Sequence, residues 1–126
     1  MARSVMEMLA AAKAEVPSIS PQEAAALAAQ GKAVIVDVRD APELQASGKA
    51  KGAVHASRGM LEFKADPQSP YHDPALDPSK TVIVYCASGG RSALAGKTLK
   101  ELGYKDVRNL GGFKDWVESG GAVEKG

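Results

Sequence analysis

The sequence predicts an α/β fold with a mostly parallel sheet. Two runs rich in β-branched residues, AVIVDV (33–38) and TVIVY (81–85), are apolar at most positions rather than alternating. That is the pattern of strands buried on both faces. Around them lie stretches with helical spacing, so strands and helices alternate along the chain, as in sheets built from crossover units.

The elements follow in chain order. Ser4 and Glu7 have the spacing of a capping box, and Val5, Met8, Leu9 and Ala12 make an i, i+3, i+4, i+7 stripe. An amphipathic helix is therefore expected over 1–16. Its stripe either packs on the domain or docks a partner. A second helix starts at Ser20 with Glu23 three positions on. Pro21 takes its first position, where a missing N–H matters little, and Gly31 closes it. Asp40 and Glu43 mark a third start. Leu94, Ala95, Thr98, Leu99 and Leu102 stripe a fourth helix that Gly103 ends, and Phe113, Trp116 and Val117 a short last one closed near Gly120. Weaker strand candidates are SIS (18–20), AVHA (53–56) and DVRNL (106–110). The segment 66–80 carries Pro67, Pro70, Pro74 and Pro78 and is expected to be a long irregular connection.

A length of 126 residues suits one domain, with a core over 18–120. Net charge is +1 and no basic run occurs, which argues against a nucleic-acid surface or a polybasic membrane patch. No apolar stretch approaches the ~20 residues of a membrane span. The N-terminal residues lack a secretory pattern, and Glu7 and Glu15 disfavour a transit peptide, so a cytoplasmic protein is expected. One cysteine excludes an internal disulfide and a cysteine-based metal cluster; His55 and His72 are far apart, so no metal-ligand spacing exists.

That one cysteine carries the functional signal. Cys86 ends the second strong strand, and ligands in open parallel sheets bind beyond such strand ends. Ala87, Ser88, Gly89 and Gly90 follow, small residues that let a loop curl tightly, and then a helix starts near Arg91 or Ser92. The free N–H groups of the helix start point back into the loop and make an anion nest. A sulfur at its centre is held as thiolate. Arg91 adds a permanent charge and a fork of donors suited to an oxyanion. The loop thus reads as a nucleophilic thiolate in an anion cradle, against the plainer reading of a small buried core cysteine. Four residues separate Cys86 from Arg91, where cysteine phosphatases have five; the tighter ring is better suited to holding a sulfur atom than a phosphate.

At these residues the sequence resembles the rhodanese-like family of sulfurtransferases. VDVRDAPEL (36–44), GKAKGAVHA (48–56), VIVYCASGGRSALAGKTLKELGY (82–104) and VRNLGGFKDW (107–116) match its motifs in order. The resemblance implies a central, mostly parallel sheet of about five strands with helices on both faces. It also implies that Cys86 attacks a donor such as thiosulfate, carries a persulfide, and passes the sulfur to cyanide or a thiol, with a protein acceptor also open. No cofactor or metal is implied. Arg91 and the loop residues Ala87, Ser88, Gly89 and Gly90 are the expected substrate-binding set. Two departures stand out. Lys49-Ala50 occupies the place of a frequent His-Ile pair, and Ala87 and Ser88 are uncharged where thiosulfate-specific relatives often carry basic residues, which leaves the donor open. A non-catalytic partner-binding module, and a small-ring phosphatase or arsenate reductase, are the competing readings.

Other residues have simpler explanations. Asp37 and Arg39 either support the loop or form a structural ion pair, the preferred reading. Ser88 donates to the bound sulfur or only shapes the turn. Ser92 reads as a first-turn helix residue, His55 as a core or loop histidine, and His72 and Tyr71 as parts of a solvated loop. Trp116 reads as a core anchor, and Gly111-Gly112 as a tight turn into the last helix.

Overall fold

The computed structural model describes residues 2–126. Four parallel strands form the central sheet: β1 (Ala33–Asp37), β3 (Val54–His55), β4 (Thr81–Cys86) and β5 (Val107–Gly112), in the order β3-β1-β4-β5. An isolated parallel bridge between Ser18 and Asn109 adds a one-residue fifth position beside β5. All that remains of the expected strand 18–20 is this bridge, held by Asn109 N–H donating to Pro17 and Ile19 N–H donating to Asn109. A separate antiparallel pair joins β2 (Lys49–Ala50) to β6 (Val123–Glu124).

The pleat sorts the two long strands onto two cores. Val36, Val82, Val84 and Cys86 face one side, with Leu61, Ala95, Leu99 and Tyr104. Ile35, Ile83 and Tyr85 face the other, with Ala24 and Trp116. Alternate residues thus find an apolar layer on each side, which is why both runs are apolar nearly throughout. On the first face lie α1 (Val5–Glu15), α4 (Leu61–Ala65) and α5 (Gly90–Glu101); on the second lie α2 (Pro21–Ala29) and α6 (Phe113–Glu118). The remaining helix, α3 (Ala41–Ser47), follows β1.

The helix starts obey their caps. Ser4 and Glu7 exchange side-chain and backbone hydrogen bonds, Glu23 N–H donates to Ser20 Oγ, and Asp40 N–H donates to the Glu43 carboxylate. Gly31 follows α2 at φ 72°, the left-handed conformation that ends a helix.

The α1 stripe packs on the domain only through its second half. In α1 only Ala12 of the apolar stripe is buried, while Val5 is 61% and Met8 45% exposed. Leu9 reaches the first residue of α5, lying 3.9 Å from where a Cβ on Gly90 would stand. The residues before Leu9 therefore overrun the start of α5 and have no helix beneath them. In the proline-rich connection Leu76 is fully buried, and Tyr104 Oη donates to the carbonyls of Ala65 and Leu76 and tacks the segment onto the core. Burial drives the Tyr104 phenol up to about 12.

Candidate active site

In this sheet the chain leaves β1 toward β3 on one side and leaves β4 toward β5 on the other, so the carboxyl ends of β1 and β4 flank the crevice where open α/β sheets bind ligands. Cys86 is the last residue of β4 and is only 1% exposed. Ala87 and Ser88 are exposed, Gly89 is buried, and α5 begins at Gly90, one or two residues before the sequence suggests. Gly89 sits at φ 102°, a conformation that L side chains rarely adopt. That turn aims its N–H at the Cys86 sulfur, 3.0 Å away.

Further polar groups converge on the same atom. Ser92 Oγ lies 3.5 Å from Sγ, in the first turn of α5. Burial pushes the thiol up, but hydrogen bonds from the Ser92 hydroxyl and from the backbone N–H groups of Ser92, Gly89 and Ser88 outweigh it. The net position is below the ordinary thiol value. The site therefore stabilises the thiolate relative to an ordinary cysteine.

The floor of the loop comes from β5. Its register against β4 shifts after Val84, so that Tyr85 faces Gly111 and Cys86 faces Gly112, leaving Leu110 as an extra residue. Such bulges bend a strand and recur beside functional sites. A Cβ on Gly112 would stand 2.5 Å from the Ala87 carbonyl, and one on Gly89 3.4 Å from Gly111 Cα. The double glycine thus does more than turn the chain into α6: its bare backbone lets the loop seat. Asn109 spans the bulge, accepting from Gly111 N–H at 2.9 Å and from Ser92 Oγ at 2.8 Å while its Nδ2 donates to the Gly89 carbonyl at 3.3 Å.

Arg91 has a partner that the sequence does not point to. Its two terminal nitrogens donate to the two carboxylate oxygens of Glu43 on α3, at 2.7 and 2.9 Å. The pair draws the Glu43 carboxyl down to about 2 and raises the guanidinium further above its ordinary value. Glu43 read only as a helix-start residue in the sequence; its second role joins residues 48 positions apart, which no local pattern records.

Asp37 and Arg39 form a buried ion pair, as the simpler reading expects: Arg39 Nη2 lies 2.8 Å from Asp37 Oδ2, and Tyr85 Oη donates to the same oxygen. Arg39 also donates to the Gly48 carbonyl and to Ser47 Oγ, with its guanidinium 4.3 Å from the Phe113 ring centre. The pleat puts Tyr85 on the face opposite Cys86, so this cluster braces α3 and β2 from behind rather than touching the sulfur. Trp116 is buried with Nε1 donating to the Ala122 carbonyl, His55 bonds the Arg39 carbonyl through Nε2, and His72 bonds the Leu76 carbonyl.

A parallel α/β sheet that ends in a buried cysteine, faced by backbone donors at a helix start, is an arrangement able to hold an anion at that strand end. The chain belongs to the rhodanese-like family: the family's Rhodanese-like domain matches residues 20–119. It is 38% identical to the thiosulfate sulfurtransferase GlpE of Pseudomonas fluorescens over 104 residues, 81% of this chain and 85% of that one. Among solved structures, a protein of unknown function from Rhodopseudomonas palustris, described as a possible tyrosine phosphatase, aligns with a TM-score of 0.88 at 42% identity. The match covers 98% of this chain and 96% of that one. The polysulfide-sulfur transferase homodimer of Wolinella succinogenes aligns with a TM-score of 0.73 at 40% identity, covering 92% and 83%. Against longer curated relatives the chain spans less than half their length.

Proposed function

We propose that the chain, acting as one unit over residues 1–126, is a sulfurtransferase that carries sulfane sulfur on Cys86. The observation that carries this reading is the convergence of the Gly89 N–H and the first turn of α5 on the Cys86 sulfur, which eases its ionisation relative to an ordinary thiol. The activities named for GlpE and for the Wolinella protein support it.

With thiosulfate as donor, the Cys86 thiolate attacks the outer sulfur. A new S–S bond forms, the donor's S–S bond breaks, and its electron pair leaves with sulfite. Cyanide or an acceptor thiolate then attacks the outer sulfur of the persulfide and restores the Cys86 thiolate. Because the chain has one cysteine, no second thiol within it can resolve the persulfide, and the acceptor comes from outside. Gly89 N–H and its neighbours hold the sulfur anion in place throughout. The exposed Ala87 and Ser88 form the rim that donor and acceptor pass, and Ser88 N–H faces the sulfur. Arg91, anchored on Glu43, supplies positive charge coupled to the Cys86 sulfur. A lone nucleophilic thiol with no disulfide partner suits a reducing compartment, in keeping with a cytoplasmic site of action.

The test is thiocyanate formation from thiosulfate and cyanide by wild type and Cys86→Ala. Turnover in the wild type and none in the folded variant is expected; equal turnover in both would remove Cys86 from the reaction. The phosphatase reading rests on the description of the Rhodopseudomonas relative. It predicts Cys86-dependent hydrolysis of an aryl phosphate, whereas the sulfur reading predicts none.

A further inference from the structure

We infer that Asn109 is a positioning residue that governs how strongly Ser92 can stabilise the ionised sulfur of Cys86, a role that deepens the proposed sulfur transfer and rests on it. Hydrogen-bond accounting makes the case. The Asn109 amide is fixed at both ends: Oδ1 accepts from Gly111 N–H at 2.9 Å, and Nδ2 donates to the Gly89 carbonyl at 3.3 Å. The oxygen is therefore the atom that faces Ser92 Oγ, 2.8 Å away, and only the Ser92 hydroxyl can supply the proton for that contact.

Ser92 has one hydroxyl proton and two possible acceptors. With a neutral thiol, the hydroxyl donates to Asn109, and the S–H donates to a Ser92 lone pair across 3.5 Å. When the thiol proton leaves to solvent, the sulfur becomes an acceptor. Ser92 then turns its proton from Asn109 Oδ1 to Sγ, and Asn109 keeps its bonds to Gly111 and Gly89. No proton is transferred from Ser92; its O–H only rotates. Ser92 is fully buried, so no water from bulk competes freely for the contact.

Ionisation thus draws one new hydrogen bond to the sulfur and breaks one to Asn109. The lost bond offsets part of the gain, so Asn109 restrains the thiolate from becoming too stable. That restraint matters because a thiolate loses nucleophilicity as its basicity falls, and attack on a sulfur donor is fastest when the thiol titrates near ambient pH. The charged group coupled to the sulfur is Arg91 of α5, itself bound to Glu43 of α3. The partners from the loop, from Ser92 and from β5 are neutral.

The test reads the thiol directly and needs no sulfur donor, so it stands apart from success or failure of the transfer reaction. The pH dependence of iodoacetamide alkylation gives the Cys86 titration in wild type, Ser92→Ala, Asn109→Ala and the double variant, each checked for a cooperative unfolding transition. Ser92→Ala is expected to raise the midpoint by about one unit or more, a tenfold loss of thiolate per unit. Asn109→Ala is expected to lower it, because the freed hydroxyl donates to sulfur without competition. The double variant is expected to match Ser92→Ala. A midpoint that rises in Asn109→Ala, or that moves equally with and without Ser92, would assign Asn109 a purely structural role and overturn the inference. Should Asn109→Ala fail to fold, Asn109→Asp serves. It keeps the acceptor and strengthens it, and must raise the midpoint more when Ser92 is present than when it is absent.

Discussion

Replacing Gly89 with alanine tests the cradle at its tightest point. The residue sits at φ 102°, where an L side chain is strained by about 1–2 kcal/mol. The new Cβ would also stand 3.4 Å from Gly111 Cα, at the near edge of van der Waals contact, so there is little room for the turn to adjust toward β5. The loop relieves the strain by rotating the peptide between Ser88 and Gly89, and that rotation carries the Gly89 N–H off the Cys86 sulfur. A hydrogen bond to a charged group contributes roughly 1.5–3 kcal/mol, and each 1.36 kcal/mol corresponds to one pKa unit. The thiol of Gly89→Ala should therefore titrate about 1–2 units higher than that of wild type, with thermal stability lowered by only a few degrees. Alkylation by iodoacetamide across the pH range measures the first quantity and calorimetry the second. An unchanged thiol titration in a folded Gly89→Ala protein would refute the reasoning, because it would mean that this N–H does not hold the sulfur anion.

Three further outcomes are expected. Asp37→Ala strands the buried Arg39 charge and removes the acceptor of Tyr85, so urea denaturation should show a loss of about 3–5 kcal/mol; a loss under 1 kcal/mol would contradict the buried-pair account. Glu43 titrates near 2 in the fold and near 4.3 in an unfolded chain, so its pairing with Arg91 stabilises fully above the unfolded value and is lost as pH falls toward 2. Both partners are about one-third exposed, which limits the effect to about 1 kcal/mol, and Glu43→Gln should abolish that part of the acid dependence in pH-resolved denaturation curves. Tyr104→Phe removes the hydroxyl that serves the carbonyls of Ala65 and Leu76, and should cost about 1–3 kcal/mol and raise proteolysis within 66–80.

Much of this fold is legible from short patterns. The two long strands show as apolar runs because each meets a packed layer on both sides, and the helices show because their caps span only three residues. Cys86 and its loop are equally local. What escapes is whatever depends on distant pairing. β2 and β6 join through a Lys49–Glu124 contact 75 positions apart, and neither dipeptide has a pattern of its own. The bulge at Leu110 leaves no mark except a glycine pair, which reads equally well as a turn. Ser92 and Asn109 look like an ordinary helix residue and an ordinary strand residue until the bulge brings them together. Arg91 shows its charge in the sequence but not its partner, and the α1 stripe does not tell which of its residues meet α5 and which extend past it.

The central claim is that Cys86 itself carries the sulfur, and intact mass tests it most directly. Wild type and Cys86→Ser are incubated with thiosulfate, desalted and weighed, before and after cyanide. The account predicts a gain of one sulfur atom in wild type alone, removed by cyanide with release of thiocyanate. A gain that persists in Cys86→Ser, or a wild-type protein that takes up no sulfur from thiosulfate or from polysulfide, would contradict it.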